Sequence, residues 1–573
     1  MLIWGKLDAI REEQQRNYAL LEQFIAAQGG APALSTGGQG ESAYEQALRT
    51  VASEHKITVE DARIRLTAAA TAIQKDPAAT LFERAKAAFA LKQFERAYAL
   101  AVEAAEIEST SLADKWELAG RAAMERGKYK DAVAAFEKAF ALRDETKNPA
   151  NWSVTASWLA SAYIESATFT NAEPLMRRAL ANAEVSFGKD HPKVAIHLNN
   201  LAQLLQVTHH FTEAEQLMRR ALATDEASFG TDHPDVATDL NNLALLLQAT
   251  NRLAEAEPLM RRALAIDEAS LGKDHPKVAI CLSSLASLLY ATNRLAEGEP
   301  LMRRALAIDE AFFGKDHPDV ARDLNNLAWL LMETNRLAEA EPLVQRALAI
   351  DEASLGKDHP NVAIRLSTLA QLFQDTNRLL EAEPLLRRAL AIDEASYGED
   401  HPNVAIRLNN LAQLFKDTNR LVEAEPLMRR ALAMGEVSLG KDHPSVAIRL
   451  NNLAMLLKDS NRRAEAEPLM RRALAINEIS YGNDHPEISG DLNNLAMLLQ
   501  AMNRPLEAEP MFRRAMEILV QFTVNTRHEH PHFRQLAGNY ARCMKANGTS
   551  PADIQKTMDA LIRPAGLSWK DDG

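Results

Sequence analysis

Eight histidines, His191, His233, His275, His317, His359, His401, His443 and His485, recur every 42 residues, each inside a Gly-x-Asp-His-Pro string. Imidazoles bind metals and carry protons, so a periodic row of them suggests either use. Metal ligands, however, must gather within about 2 Å of one ion, whereas packed neighbouring helices lie about 8–10 Å apart. One histidine per repeat therefore reads as a structural corner. The denser trio His528, His530 and His532 lacks a regular ligand spacing, and no metal site is expected there. Paired arginines form a second periodic set: Arg219-Arg220, Arg261-Arg262, Arg303-Arg304, Arg387-Arg388, Arg429-Arg430 and Arg471-Arg472. A row of guanidinium groups suits phosphate, and nucleic acid through such a ridge is one reading. Glu257, four residues before Arg261 and repeated in most units, favours ion pairs along the helix surface instead. Catalytic constellations are missing from the sequence: there is no Gly-rich loop ending in Lys-Ser/Thr, no HExxH, no CxxC and no GxSxG. No enzymatic activity and no cofactor are expected.

The elements that carry these residues follow from one unit, His233 to Asp274. Val236, Leu240, Leu243, Ala244 and Leu247 recur at three- and four-residue steps, the mark of one apolar stripe on a helix. Pro234 falls in the first turn, where a missing N–H costs little, and Asp232 sits beside the positive end. Thr250-Asn251 breaks the pattern and is expected to cap a second helix, whose stripe is Leu253, Ala256, Met260, Ala263, Leu264 and Ile266. Gly272 supplies the stop. Pro258, recurring as Pro174, Pro300, Pro342, Pro384, Pro426, Pro468 and Pro510, implies a late start of that helix or a mild kink. Neither helix can bury its stripe alone, so the units must stack.

Composition agrees with such a stack: 47% hydrophobic residues but only 6% aromatic. A net charge of −13 argues against nonspecific nucleic-acid binding. Cys281 and Cys543 form no disulfide pattern, which suggests a reducing compartment. The first residues enter charged sequence without an apolar stretch, and nowhere do 18 apolar residues follow one another. A cytoplasmic protein without a membrane partner is expected.

The strings HPxVAxxLNNLAxLL, EAEPLMRRALAI and the closing Gly-x-Asp resemble tetratricopeptide repeats, specifically the 42-residue kind of kinesin light chains and their prokaryotic relatives. Upstream, Trp116, Gly120, Ala132, Phe136 and Ala139 resemble an ordinary 34-residue member, and Leu81, Ala85, Ala97 and Ala104 a looser one. The resemblance implies an all-α, right-handed superhelical solenoid of stacked αα-hairpins. The expected organisation is an N-terminal helix over 1–30, a flexible linker over 31–41 and a short helical segment over 42–76. Two 34-residue-type repeats (77–147), a transitional repeat (148–190), eight 42-residue repeats (191–526) and capping helices (527–573) follow.

The resemblance also implies a concave groove that holds extended partner segments. Asn199, Asn241, Asn325, Asn409, Asn451 and Asn493 occupy the position that in kinesin light chains holds the partner's backbone, and an amide offers both donors and an acceptor. Ser283 and Ser367 interrupt the row. Tyr290, Trp329 and Arg322 are expected in the groove near the first gap, and such residue types are frequent binding anchors. The family's arginine near the end of the second helix is replaced by Asp225, Asp267, Asp309, Asp351 and Asp393. If these line the groove, its first part favours basic or neutral peptides, and the later part, with Arg407, Arg449, Lys416 and Lys458, tolerates acidic ones. The expected function is a non-enzymatic protein-interaction scaffold. The alternative is a regulatory or sensor arm of a signalling assembly, with the N-terminal helical segment as its docking element.

Overall fold

The computed structural model describes residues 16–27, 43–76, 79–107, 111–567 and Trp569. Residues 1–15 of the expected N-terminal helix and the expected linker over 31–41 lie outside them. Among the described residues, all regular structure is helical, and none of the helices is long and apolar enough to cross a membrane. The described residues form two compact units, the first running as far as Val207 together with Gln216–Ser228 and Ser396–Gly398, the second comprising Thr208–Glu215, Phe229–Ala395 and the described residues from Glu399 onward.

In the first unit, helices Ala43–His55 and Val59–Lys75, Leu81–Ala90 and Phe94–Ile107, and Leu112–Glu125 and Tyr129–Ala141 pack as successive antiparallel hairpins. Thr58 and Thr80 cap their helices by accepting from the N–H groups of Asp61 and Glu83. Gly120 lies flat against the Phe136 ring, where a Cβ would approach ring carbons to 2.7 Å. The helix over 16–27 buries Leu21 and Phe24 among Tyr44, Leu48 and Phe89. Glu22 of that helix is ion-paired to Lys86 at 2.5 Å.

The second unit repeats one hairpin, each named here by its histidine. In the His275 repeat the first helix is Pro276–Ala291 and the second Leu295–Phe313. The histidine is the N-cap: Nδ1 of His275 accepts from the Lys277 N–H at 3.2 Å, and proline fills the first helical position. The same bond recurs at His233, His317, His359, His401, His443 and His485. The corner reading of these histidines thus has a definite chemistry, an imidazole lone pair satisfying a helix donor that has no partner of its own.

Two expectations are corrected. Thr250-Asn251 closes the first helix rather than capping the second. The Thr250 hydroxyl donates back to the Leu246 carbonyl, and Asn251 sits in the left-handed region at φ 58, a conformation asparagine tolerates. The second helix instead begins behind Arg252, which makes no side-chain cap. Of the late start or mild kink expected at Pro258, the late start is overturned: the helix begins at Leu253, with Pro258 inside it. The proline takes the sixth position of the helix, so its missing N–H leaves only the Ala254 carbonyl without an intrahelical donor.

His485 also carries a pH prediction. Burial, with the Tyr481 ring stacked at 4.7 Å, lowers its pKa from 6.5 to about 4. A histidine depressed in the fold contributes stability that is present above its unfolded pKa and is lost as pH falls from 6.5 towards 4. Replacing His485 with asparagine should keep the cap and reduce this acid sensitivity. Replacing it with alanine should cost about 1 kcal/mol at pH 7. Urea melts at pH 4.5 and 7 test both, and an asparagine variant as acid-sensitive as the parent refutes the assignment.

Candidate partner-binding face

Each first helix of the second unit buries a broad stripe, in the His233 repeat Val236, Ala237, Leu240, Leu243, Ala244, Leu246 and Leu247. The remaining face holds the positions five, eight, twelve and fifteen residues after the histidine. First helices of neighbouring repeats touch directly, Pro234–Ala249 on Pro276–Ala291 and Pro318–Glu333 on Pro360–Asp375. This free face therefore runs on from repeat to repeat.

Its exposed members are large. Trp329 is 46% exposed and Tyr290 39%. Isoleucines at the position five after the histidine are equally open: Ile364 at 40%, Ile406 at 46% and Ile448 at 58%. Sequence reasoning overlooked them because an isoleucine on an amphipathic helix is ordinarily read as core. Lys416 pairs with Asp459 at 3.3 Å, and Lys458 is half-buried at the equivalent position of the next repeat.

The asparagine row lies in the seam between first helices. Asn241 and Asn325 are buried, while Asn199, Asn409, Asn451 and Asn493 are half-buried. Asn409 accepts from the Nδ2 of Asn452 at 3.1 Å, and Asn493 from that of Asn539 at 2.8 Å. Asn451 donates to Asp491 at 2.6 Å. At the gap, Ser367 donates to the Ala363 carbonyl and accepts from Arg407. Arg322 reaches Asp319 at 2.8 Å and both Asp309 and Asp323 at 3.2 Å. The chain thus brings the open rings and isoleucines onto one face, places the amides at its floor, and engages Arg322 with three of its own carboxylates.

The aspartates of the second helices do not line this face. Asp267, Asp309, Asp351 and Asp393 are at most 2% exposed, because the next repeat's first helix covers them. Fourteen residues on, that helix supplies a polar partner. Cys281 donates to Asp267 at 3.4 Å, Arg365 to Asp351 at 2.9 Å and Arg407 to Asp393 at 2.8 Å. Asn477 donates to Asp491 at 2.7 Å. Asp309 meets another acid, Asp323, and burial foremost, then that neighbour's charge, lifts its carboxyl well above the usual range. Arg449 meets Gly435, where a Cβ would stand 3.2 Å from its Nη1. These junctions were missed in the sequence, although the shared 14-residue offset would have revealed them. Burial likewise raises the Cys281 thiol well above its ordinary value and Cys543 to about 11.

The arginine pairs are absorbed on the second helices. Glu257 takes Arg261 of its own helix at 2.7 Å and Arg294 of the next repeat at 2.8 Å. Arg304 reaches back to Glu268 at 2.6 Å and to the Lys273 carbonyl. The pattern continues with Arg336 on Glu299 and Arg420 on Glu383, both at 2.7 Å. Among the described residues, no group of three or more His, Cys, Asp or Glu is placed to hold a metal ion.

A family model described as tetratricopeptide repeat matches residues 153–227, 199–269, 235–297, 282–353, 331–395, 366–436, 419–479 and 446–519. No curated protein matches the chain. Among solved structures, the nearly identical TPR-like repeats of a Podosopora anserina kinesin-light-chain-type protein are 24% identical. That alignment covers 36% of this chain and 98% of the other, with a TM-score of 0.32. A single-substitution variant of that protein gives the same identity and TM-score over 97% of its length. BtubC (BKLC) from P. vanneervenii is 25% identical over 42% of this chain and 94% of its own, with a TM-score of 0.33.

Proposed function

Because the chain belongs to the tetratricopeptide-repeat family, whose members are protein-interaction scaffolds, we propose that it holds an extended segment of a protein partner along the free face of its first helices and catalyses no reaction. One observation carries this reading. Trp329, Tyr290 and the isoleucines at 364, 406 and 448 are exposed on that single face, in repeats that otherwise bury their large apolar first-helix residues. Many shallow contacts along a surface of this kind add up to useful affinity without a deep pocket. Trp329 and Tyr290 act as anchors, aided by Arg322, Lys416 and Lys458. Asn241, Asn325, Asn409, Asn451 and Asn493 hold the floor of the groove and meet the partner's backbone, and Asn199 holds the equivalent position in the first unit.

Exposed rings are the right residues to test, since their loss leaves the seam intact. A double variant, Trp329→Ala with Tyr290→Ala, should keep its helicity and melting. Its capture of partner proteins from host lysate should fall about tenfold, corresponding to about 1.4 kcal/mol. Capture equal to that of the unaltered chain would move the interaction off this face.

A further inference from the structure

The repeats starting at His359, His401 and His443 differ from the rest of the second unit in two linked respects. They alone in that unit expose isoleucine at the fifth position after the histidine to 40% or more: Ile364, Ile406 and Ile448. At the same position the His317 repeat has Arg322 and the His485 repeat Gly490, so the row is bounded on both sides. Immediately after each isoleucine stands a buried arginine. Arg365 and Arg407 are neutralised by Asp351 and Asp393. Arg449, 5% exposed, faces Gly435 where those aspartates would be. It has only carbonyl acceptors, Ser445 at 2.7 Å and Pro402 at 3.3 Å, and its Nε has no partner. The row of apolar side chains thus ends at one uncompensated cation, and a buried cation without a counter-charge is costly.

Spacing and charge together define what fits. First helices of adjacent repeats lie about 8–10 Å apart. A polyproline-II strand rises about 3.1 Å per residue with three residues per turn, so every third side chain returns to the same side after about 9 Å. We propose that this stretch of the face docks a polyproline-II-like segment of a protein partner, carrying an aliphatic side chain at every third residue and a carboxylate beside the last of them, where it compensates Arg449. The inference rests on the groove reading above and specifies the partner's chemistry in three repeats. Burial also pushes the Arg449 guanidinium below its ordinary pKa.

The test uses the full chain and synthetic fluorescein-labelled peptides read by anisotropy. The first peptide has leucine at positions 1, 4 and 7 and glutamate at 8, with proline and serine elsewhere. The second has leucine at every second position, and the third replaces the glutamate with glutamine. The first should bind at least about tenfold more tightly than the other two, each tenfold being about 1.4 kcal/mol. Ile364→Ser, Ile406→Ser and Ile448→Ser together should abolish its binding, and these surface changes should leave the helicity unchanged. Arg449→Met should erase the preference for glutamate over glutamine while retaining the three-residue spacing. Equal binding of the first two peptides, or full binding by the triple serine variant, overturns the proposal. If these peptides fail while the Trp329/Tyr290 variant still loses its lysate partners, only this inference falls. If that variant loses nothing either, the groove reading falls with it.

Discussion

Replacing Arg365 with methionine is expected to cost the fold about 3–5 kcal/mol, the usual penalty for stripping one partner from a buried ion pair. Asp351 has no exposed surface, its Oδ2 takes the Arg365 Nε at 2.9 Å, and its Oδ1 has no partner. Burial already raises the Asp351 pKa in spite of the arginine. Without the arginine, the carboxyl must either stay charged in an apolar seam or take up a proton. Methionine keeps most of the volume, so the loss reports charge rather than a cavity. The double variant with Asp351→Leu should recover most of the stability, because removing both charges leaves nothing uncompensated. Repeat arrays unfold in stages. Hydrogen exchange of helices Leu337–Ser354 and Pro360–Asp375 is therefore a sharper readout than one global melt. Unchanged protection in the single variant would show that the pair is dispensable.

Asp323→Asn should act in the opposite direction, stabilising the protein at alkaline pH by about 2 kcal/mol, the size of one to two pKa units. Asp309 and Asp323 are 1% and 2% exposed. Together with Asp319 they present three carboxylates to the single charge of Arg322. Burial is the chief cause of the upward shift of both, which favours one proton shared by the pair. A group whose folded pKa is raised contributes stability that is complete below the unfolded value and drains away as pH rises through the folded one. The parent should therefore weaken steadily from the ordinary aspartate range upward, and the asparagine variant should weaken less, since its amide donates the hydrogen bond permanently. Urea denaturation at pH 5, 7 and 9 measures both slopes, and parallel slopes would contradict the shared proton.

The period and the apolar stripes were legible because every repeat restates them: Val236, Leu240 and Leu247 need only helical spacing to be recognised. The corner histidines were legible as corners, although not the Nδ1 cap that explains why the residue is histidine. Thr250-Asn251 was misread because short polar side chains both open helices and close them, and only the backbone conformation separates the two uses. The candidate face was partly legible. Trp329 and Tyr290 stood out by type, whereas nothing in the sequence marked Ile364, Ile406 and Ile448 as exposed. The buried junctions stayed hidden for a different reason. Asp351 and Arg365 belong to different hairpins, and nothing within either helix reveals that the two face each other.

Those junctions fix the order of the array. By their backbones, the 42-residue units are interchangeable, and excising one would rejoin two identical ends. Their buried partners are not interchangeable. Removing residues 317–358 would set Asp309 against Arg365, and removing 359–400 would set Asp351 against Arg407, both matched. Removing 275–316 would only put Asp267 in the place Asp309 already holds against Asp323, whereas removing 443–484 would leave Asp491 facing Gly435 without its amide partner. Loss of a unit by recombination is thus tolerated in the middle of the series and penalised at its C-terminal flank, so each repeat carries an address as well as a shape.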